Sequence, residues 1–220
     1  RDYYMKLTKI LLTSALLGAS ILSFHSTVAA MDFGTQVGID AYRKNDFAQA
    51  AEQFKDAGMV RGDSTAQLFL GVMYYNGEFF KQDYVEAAKW YRKAADQGEE
   101  FALLFLGEMY EEGKGVEKDY AEAIKLYRKA AEQGSASGQT ALGSMYRFGK
   151  GVEEDYAEAL KWYNKAAEQG HNQAQFYLGE MYANGVGVKQ NQVKAKELFN
   201  KSCKQGYKTA CKVLKSYNKK

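Results

Sequence analysis

Between Leu103 and Gly134 the apolar residues fall into two runs at helical spacing, separated by a short glycine-rich break. Leu106, Met109 and Tyr110 stand at i, i+3 and i+4, which predicts a first helix (helix A) with one apolar face. Gly113-Lys114-Gly115-Val116 interrupts the pattern, because paired glycines supply left-handed backbone and end helices. Asp119 then reads as the N-cap of a second helix (helix B), with Glu122 three residues on as its capping-box partner. Ala123, Leu126, Tyr127, Ala130 and Ala131 follow at i, i+3, i+4, i+7 and i+8, a full apolar stripe.

The same text recurs with a period of 36 residues. Gly71, Gly107, Gly143 and Gly179 are each 36 apart, and so are Met73, Met109, Met145, Met181 and Tyr74, Tyr110, Tyr146, Tyr182. The helix B stripe returns as Ala87, Trp90, Tyr91, Ala94, Ala95, then as Ala159, Trp162, Tyr163, Ala166, Ala167. Its last version is Ala195, Leu198, Phe199, Ser202, Cys203. Periods of this length mean stacked supersecondary units. A glycine inside a helix costs about 1 kcal/mol against alanine. Its return in every helix A therefore predicts a contact too tight for a Cβ, against the helix B aromatic.

The string Leu-Gly-x-Met-Tyr-x-x-Gly-x-Gly-Val-x-x-Asp-Tyr-x-x-Ala, followed by Trp-Tyr-x-Lys-Ala-Ala-x-x-Gly, resembles the Sel1-like repeat, a relative of the tetratricopeptide repeat. The resemblance implies an all-α protein, an α/α solenoid of helix-turn-helix repeats in a right-handed superhelix. Four copies are expected at 64–99, 100–135, 136–171 and 172–207. A tetratricopeptide-like leading hairpin (31–63) carries Gly38, Phe47, Ala50, Phe54 and Ala57, and a C-terminal capping helix (208–220) has Lys215 at the glycine position.

Two departures stand out. Phe79 occupies the place of Gly115, and because an aromatic rarely tolerates positive φ this loop is expected to bend differently and present a ring to solvent. Asn191 and Lys194 replace the capping Asp and Glu of the last copy, weakening that box.

Residues 5–30 read as an export signal: a basic start at Lys6 and Lys9, an apolar stretch from Ile10 to Phe24, and small residues before a cut after Ala30. Arg1 to Tyr4 read as an upstream extension. The apolar stretch is short for a transmembrane anchor, so a periplasmic or secreted chain without an integral span is expected. From Met31 to Val188 there are 17 basic and 25 acidic residues, whereas Lys189 to Lys220 holds ten lysines and one acid, Glu197. That polarity does not fit a nucleic-acid binder, which is basic along its working face and interleaved with stacking aromatics. The lysine-rich end reads either as a soluble polar cap or as a contact for an anionic surface.

Cys203 and Cys211 are the only cysteines. In an oxidising compartment an isolated pair reads as a disulfide. With His171 the pair supplies three zinc ligands and no fourth at a recognisable spacing, so the disulfide is the favoured reading and no metal is assigned. Cysteine pairs at this junction resemble those of exported cysteine-rich Sel1-like proteins of bacteria.

Positions alike in every copy serve the stack, and positions that differ are free for recognition. The tetratricopeptide-like geometry implies a concave groove lined by helix A. Carried onto this chain, its positions are Leu68, Val72, Tyr75 and Asn76 in the first copy, then Phe101, Leu104, Glu108, Glu111 and Glu112. The third copy gives Thr140, Ser144, Arg147 and Phe148, and the last gives Gln173, Phe176, Glu180 and Asn184. Apolar anchors beside an acidic strip would suit an extended or helical segment of a protein or peptide partner carrying apolar and basic residues. Solvated helix positions are the plainer account.

Catalytic signals are weak. Gly143-x5-Gly149-Lys150-Gly151 is one residue too long for a phosphate loop and lacks the Ser/Thr after Lys. Ser216-Tyr217-Asn218-Lys219 matches Ser-x-x-Lys without Ser-Asp-Asn or Lys-Thr-Gly elsewhere. His171 reads as a surface residue in a turn. The expected class is a monomeric, non-enzymatic adaptor without cofactor. The alternative, carried only by the resemblance, is a weak β-lactam hydrolase or penicillin-binding protein.

Overall fold

A computed structural model describes residues 33–217. The export signal and Lys219 lie outside them. Contacts divide the chain into two units, one ending at Trp90 and one beginning at Tyr91.

The first unit opens with α1 (Phe33–Arg43) and α2 (Phe47–Lys55), which runs into one π-helical turn, Asp56–Val60. Asp46 caps α2 by accepting from the Gln49 amide. A Cβ on Gly38 would stand 2.6 Å from the Phe54 ring. Phe54 in turn stacks on Phe69 at 4.9 Å, joining the hairpin to α3 (Ser64–Asn76). Gln67 donates to the Gly58 carbonyl of the π turn, so the widened turn is tied to the first repeat.

The loop after α3 corrects the sequence expectation. Phe79 does adopt φ +66°, within a few degrees of Gly115 at +70°, so the loop bends like its glycine-bearing counterparts. The backbone closure is the reason: Asp83 N–H donates to the Tyr74 carbonyl, just as Asp119 does to Tyr110 and Asp155 to Tyr146. Glu78 is also held from two sides, by the Tyr42 hydroxyl and the Asn76 amide. The Phe79 ring is 58% exposed, as expected.

Helix α4 (Tyr84–Asp96) is the first helix B and crosses the unit boundary. The second unit continues with α5 (Glu100–Glu112), α6 (Tyr120–Glu132), α7 (Ala136–Arg147), α8 (Tyr156–Glu168), α9 (Asn172–Asn184), α10 (Gln192–Lys204) and α11 (Lys208–Tyr217). Within the second unit each of the helices α5 to α11 packs against the next, and no strand occurs among the described residues. The fold class is an all-α, α/α solenoid.

The glycine contacts repeat in register. A Cβ on Gly107 would lie 2.5 Å from the Tyr127 ring, on Gly143 2.9 Å from Tyr163, and on Gly179 2.7 Å from Phe199. Tyr127, Tyr163 and Phe199 are buried there, filling the space the missing side chain leaves. Asp119 accepts from the Ala121 and Glu122 amides, as Asp155 does from Ala157 and Glu158. Asn191 keeps one such bond, to the Lys194 amide. The other half of the capping box differs from expectation: Glu122 turns outward to Arg92 of the preceding copy (2.7 Å), because the Asp119 amide is already taken by the Tyr110 carbonyl. Arg92 also donates to the Tyr110 hydroxyl, and Arg128 makes the equivalent bond to Tyr146 at 2.7 Å. Lys129 reaches back to the Ala95 carbonyl, closing the end of α4. These bonds between copies fix the angle at which each helix A is offered.

Candidate interaction surface

The helix A positions separate by burial once the stack is assembled. In the first unit, Leu68, Val72 and Tyr75 are buried, Tyr75 with its ring edge-on to Tyr84 at 4.9 Å. Asn76 is half-buried. These side chains serve packing and loop closure.

In the second unit, Leu104, Thr140 and Phe176 are buried too. Phe176 packs against Phe199 and Tyr207, with ring centroids 5.6 and 5.2 Å away. Phe101 is half-buried, 6.4 Å from Phe105. The expected row of apolar anchors is thus largely absorbed by neighbouring helices.

Phe148 is the exception. It ends α7 with its ring 54% exposed. The Arg147 guanidinium lies 5.0 Å from the Phe148 centroid and 5.7 Å from that of Tyr177 on α9. Glu180 holds the same guanidinium with an ion pair of 3.0 Å. Tyr177 is oriented by Gln173, whose amide donates to its hydroxyl at 3.0 Å. An exposed ring is therefore braced by a cation that is itself held in place, which lowers the entropy lost on binding.

The acidic strip is mostly neutralised from within. Glu111 accepts from Lys150 at 2.6 Å and from the Tyr127 hydroxyl at 3.1 Å. That bond to Glu111 holds the Lys150 ammonium above its ordinary pKa. Glu112 is exposed with Lys114 3.2 Å away, Glu108 is half-buried and Asn184 is exposed. Ser144 gives its proton to the Thr140 carbonyl, so the Tyr163 hydroxyl donates to Ser144 at 2.9 Å. Burial pushes the Tyr163 phenol up to about 12 and keeps it a donor.

His171 is half-buried, not a free surface residue. Thr140 Oγ1 donates to the Ala136 carbonyl and so accepts from His171 Nδ1 at 2.8 Å. Burial lowers the imidazole pKa. Lys150 and His171 were the residues whose partners sequence spacing did not disclose. Glu111 is 39 positions from Lys150, in the preceding copy, and Thr140 is 31 from His171, at the other end of the same copy.

Cys203 and Cys211 form a disulfide between the end of α10 and α11. Ser216 gives its proton to the Val213 carbonyl at 2.6 Å, not to a basic nitrogen. No group of three or more metal-ligating side chains occurs among the described residues.

The Sel1 repeat family matches residues 64–99, 101–135, 136–171 and 172–207, and the chain belongs to that family. Among solved structures, a Sel1 repeat protein from Oxalobacter formigenes is 36% identical, with a TM-score of 0.77 over 82% of this chain and 73% of that one. A protective antigen present in uropathogenic Escherichia coli strains, displaying an SLR fold, is 30% identical, with a TM-score of 0.74 over 97% of this chain. This chain spans 48% of that antigen's length. A putative sel1 repeat protein from Klebsiella pneumoniae shares the fold at 23% identity and a TM-score of 0.54, over 83% of this chain and 90% of that one. No curated protein matches the chain.

Proposed function

We propose that this Sel1 repeat protein is an exported, non-enzymatic adaptor that holds a protein partner on the helix A face of its second unit. The observation that carries the proposal is Phe148, exposed yet fixed by Arg147 between Tyr177 and Glu180. Rigid aromatics and arginines are the residues that dominate binding energies at protein interfaces. Because Glu111 and Glu180 already pair with Lys150 and Arg147, the partner segment is apolar and hydrogen-bonding rather than basic.

Export is supported by the disulfide, which persists in oxidising compartments. No helix among the described residues is long and apolar enough to cross a membrane. N-terminal sequencing of the mature chain should begin at Met31; a retained leader overturns the export reading. For binding, Phe148→Ala should weaken partner affinity at least about tenfold while helicity is unchanged. Equal affinity removes Phe148 from the interface and this surface with it.

A further inference from the structure

At three positions the last copy carries lysine where most or all of the earlier copies carry an acid. Lys189 stands where Glu117 and Glu153 stand (the first copy has Lys81 there), Lys194 where Glu86, Glu122 and Glu158 stand, and Lys204 where Asp96, Glu132 and Glu168 stand. All three lysines are exposed. Solubility does not require the reversal, since acids at the same positions serve it at least as well.

Lys194 donates to the Tyr182 hydroxyl at 2.7 Å, with its ammonium 4.2 Å from that ring's centroid, and stays exposed. It lies in the first turn of α10, where the positive end of the helix dipole favours the Glu found in three earlier copies. The contact with Tyr182 offsets part of that cost and leaves the charge at the surface.

The cations continue onto α11, where Lys208, Lys212 and Lys215 recur at i, i+4 and i+7 along one exposed face. Ala210, Val213, Leu214 and Tyr217 turn toward α10 and pack around Phe199. The Cys203–Cys211 bond ties the two basic helices together. Lys196, Lys201, Lys204, Lys208, Lys212 and Lys215 pair with no carboxylate of a described residue.

We propose that the outer face of α10 and α11 is an electrostatic attachment surface for a bilayer containing anionic phospholipid. Every cation from Lys189 onward is lysine, none arginine. Lysine is a hydrated point charge suited to diffuse attraction, whereas arginine supplies the bidentate geometry of a specific acidic protein site. Val193, 71% exposed beside Lys194, offers an apolar side chain to the headgroup boundary. The lysines are spread over two helices instead of converging on one pocket, as a planar field of charge requires.

The test is flotation of the purified, disulfide-intact chain with vesicles of phosphatidylcholine alone or with about 30% phosphatidylglycerol. Binding is expected only to the anionic vesicles and should fall at least tenfold between about 0.1 and 0.5 M salt. The variant Lys189→Glu/Lys194→Glu/Lys204→Glu restores residues that earlier copies already tolerate, so its circular dichroism should match the parent. It should bind about a hundredfold more weakly, at roughly a factor of five per lysine. Phe148→Ala should bind vesicles like the parent, which separates this surface from the partner site. Equal binding to neutral vesicles, no binding at all, or an unaffected triple variant overturns the proposal. So does retention only by an acidic polysaccharide or protein column.

Discussion

Gly151, in the loop after α7, lies against Tyr120, the first residue of α6, so closely that a Cβ on the glycine would stand 2.4 Å from the tyrosine Cβ. Gly187 repeats the relationship against Tyr156 at 2.5 Å. Both glycines have positive φ. Two constraints, conformation and contact, meet at one position. Gly151→Ala should cost about 3 kcal/mol, whereas Gly134→Ala, with positive φ but nothing within 4 Å, should cost only about 1 kcal/mol. Urea denaturation of the two variants compares them, and equal midpoints would show that the contact contributes nothing.

Phe79 occupies the equivalent place in the first unit at the cost of left-handed strain. Phe79→Gly relieves that strain and loses an edge contact with Phe80, so stability should change by less than about 1 kcal/mol. Phe54→Ala, removing a fully buried ring, should cost about 3–5 kcal/mol. Thermal melts of both variants decide whether Phe79 is structural.

The periodic elements were legible because they are local. Gly107 and Tyr127 announce each other through repetition, and the alanine stripe fixes helix B to within a turn. What the sequence hid were outcomes of assembly. Offsets place Tyr75 and Phe176 on the recognition face, yet Tyr84 covers one, and Phe199 with Tyr207 covers the other. Glu111 reads as free negative charge until folding delivers Lys150 from the next copy. The positive φ of Phe79 was hidden for a related reason: local preference argued against it, and the closing bond to Tyr74 overrode that preference.

His171 links stability to pH. Its folded pKa is lowered by burial, so protonation favours the unfolded chain. Its contribution should be complete above an unfolded pKa of about 6.5 and decline as pH falls toward the folded value. His171→Gln should flatten the dependence of the urea midpoint on pH below neutrality. An identical slope in parent and variant would assign that dependence elsewhere.

The disulfide closes a short loop and should contribute about 2.5 kcal/mol, chiefly to α11. Cys203→Ser/Cys211→Ser should speed amide exchange in Lys208–Tyr217 while leaving α5 to α8 protected. Uniform loss of protection would mean that the bond stabilises the whole unit instead.

The most direct test of the adaptor reading places a photo-reactive residue at 148, and for comparison at the exposed Val85 of α4. Irradiation in the native envelope should give one defined protein adduct at 148 and none at 85. No adduct at 148, or the same adduct from both positions, would contradict it.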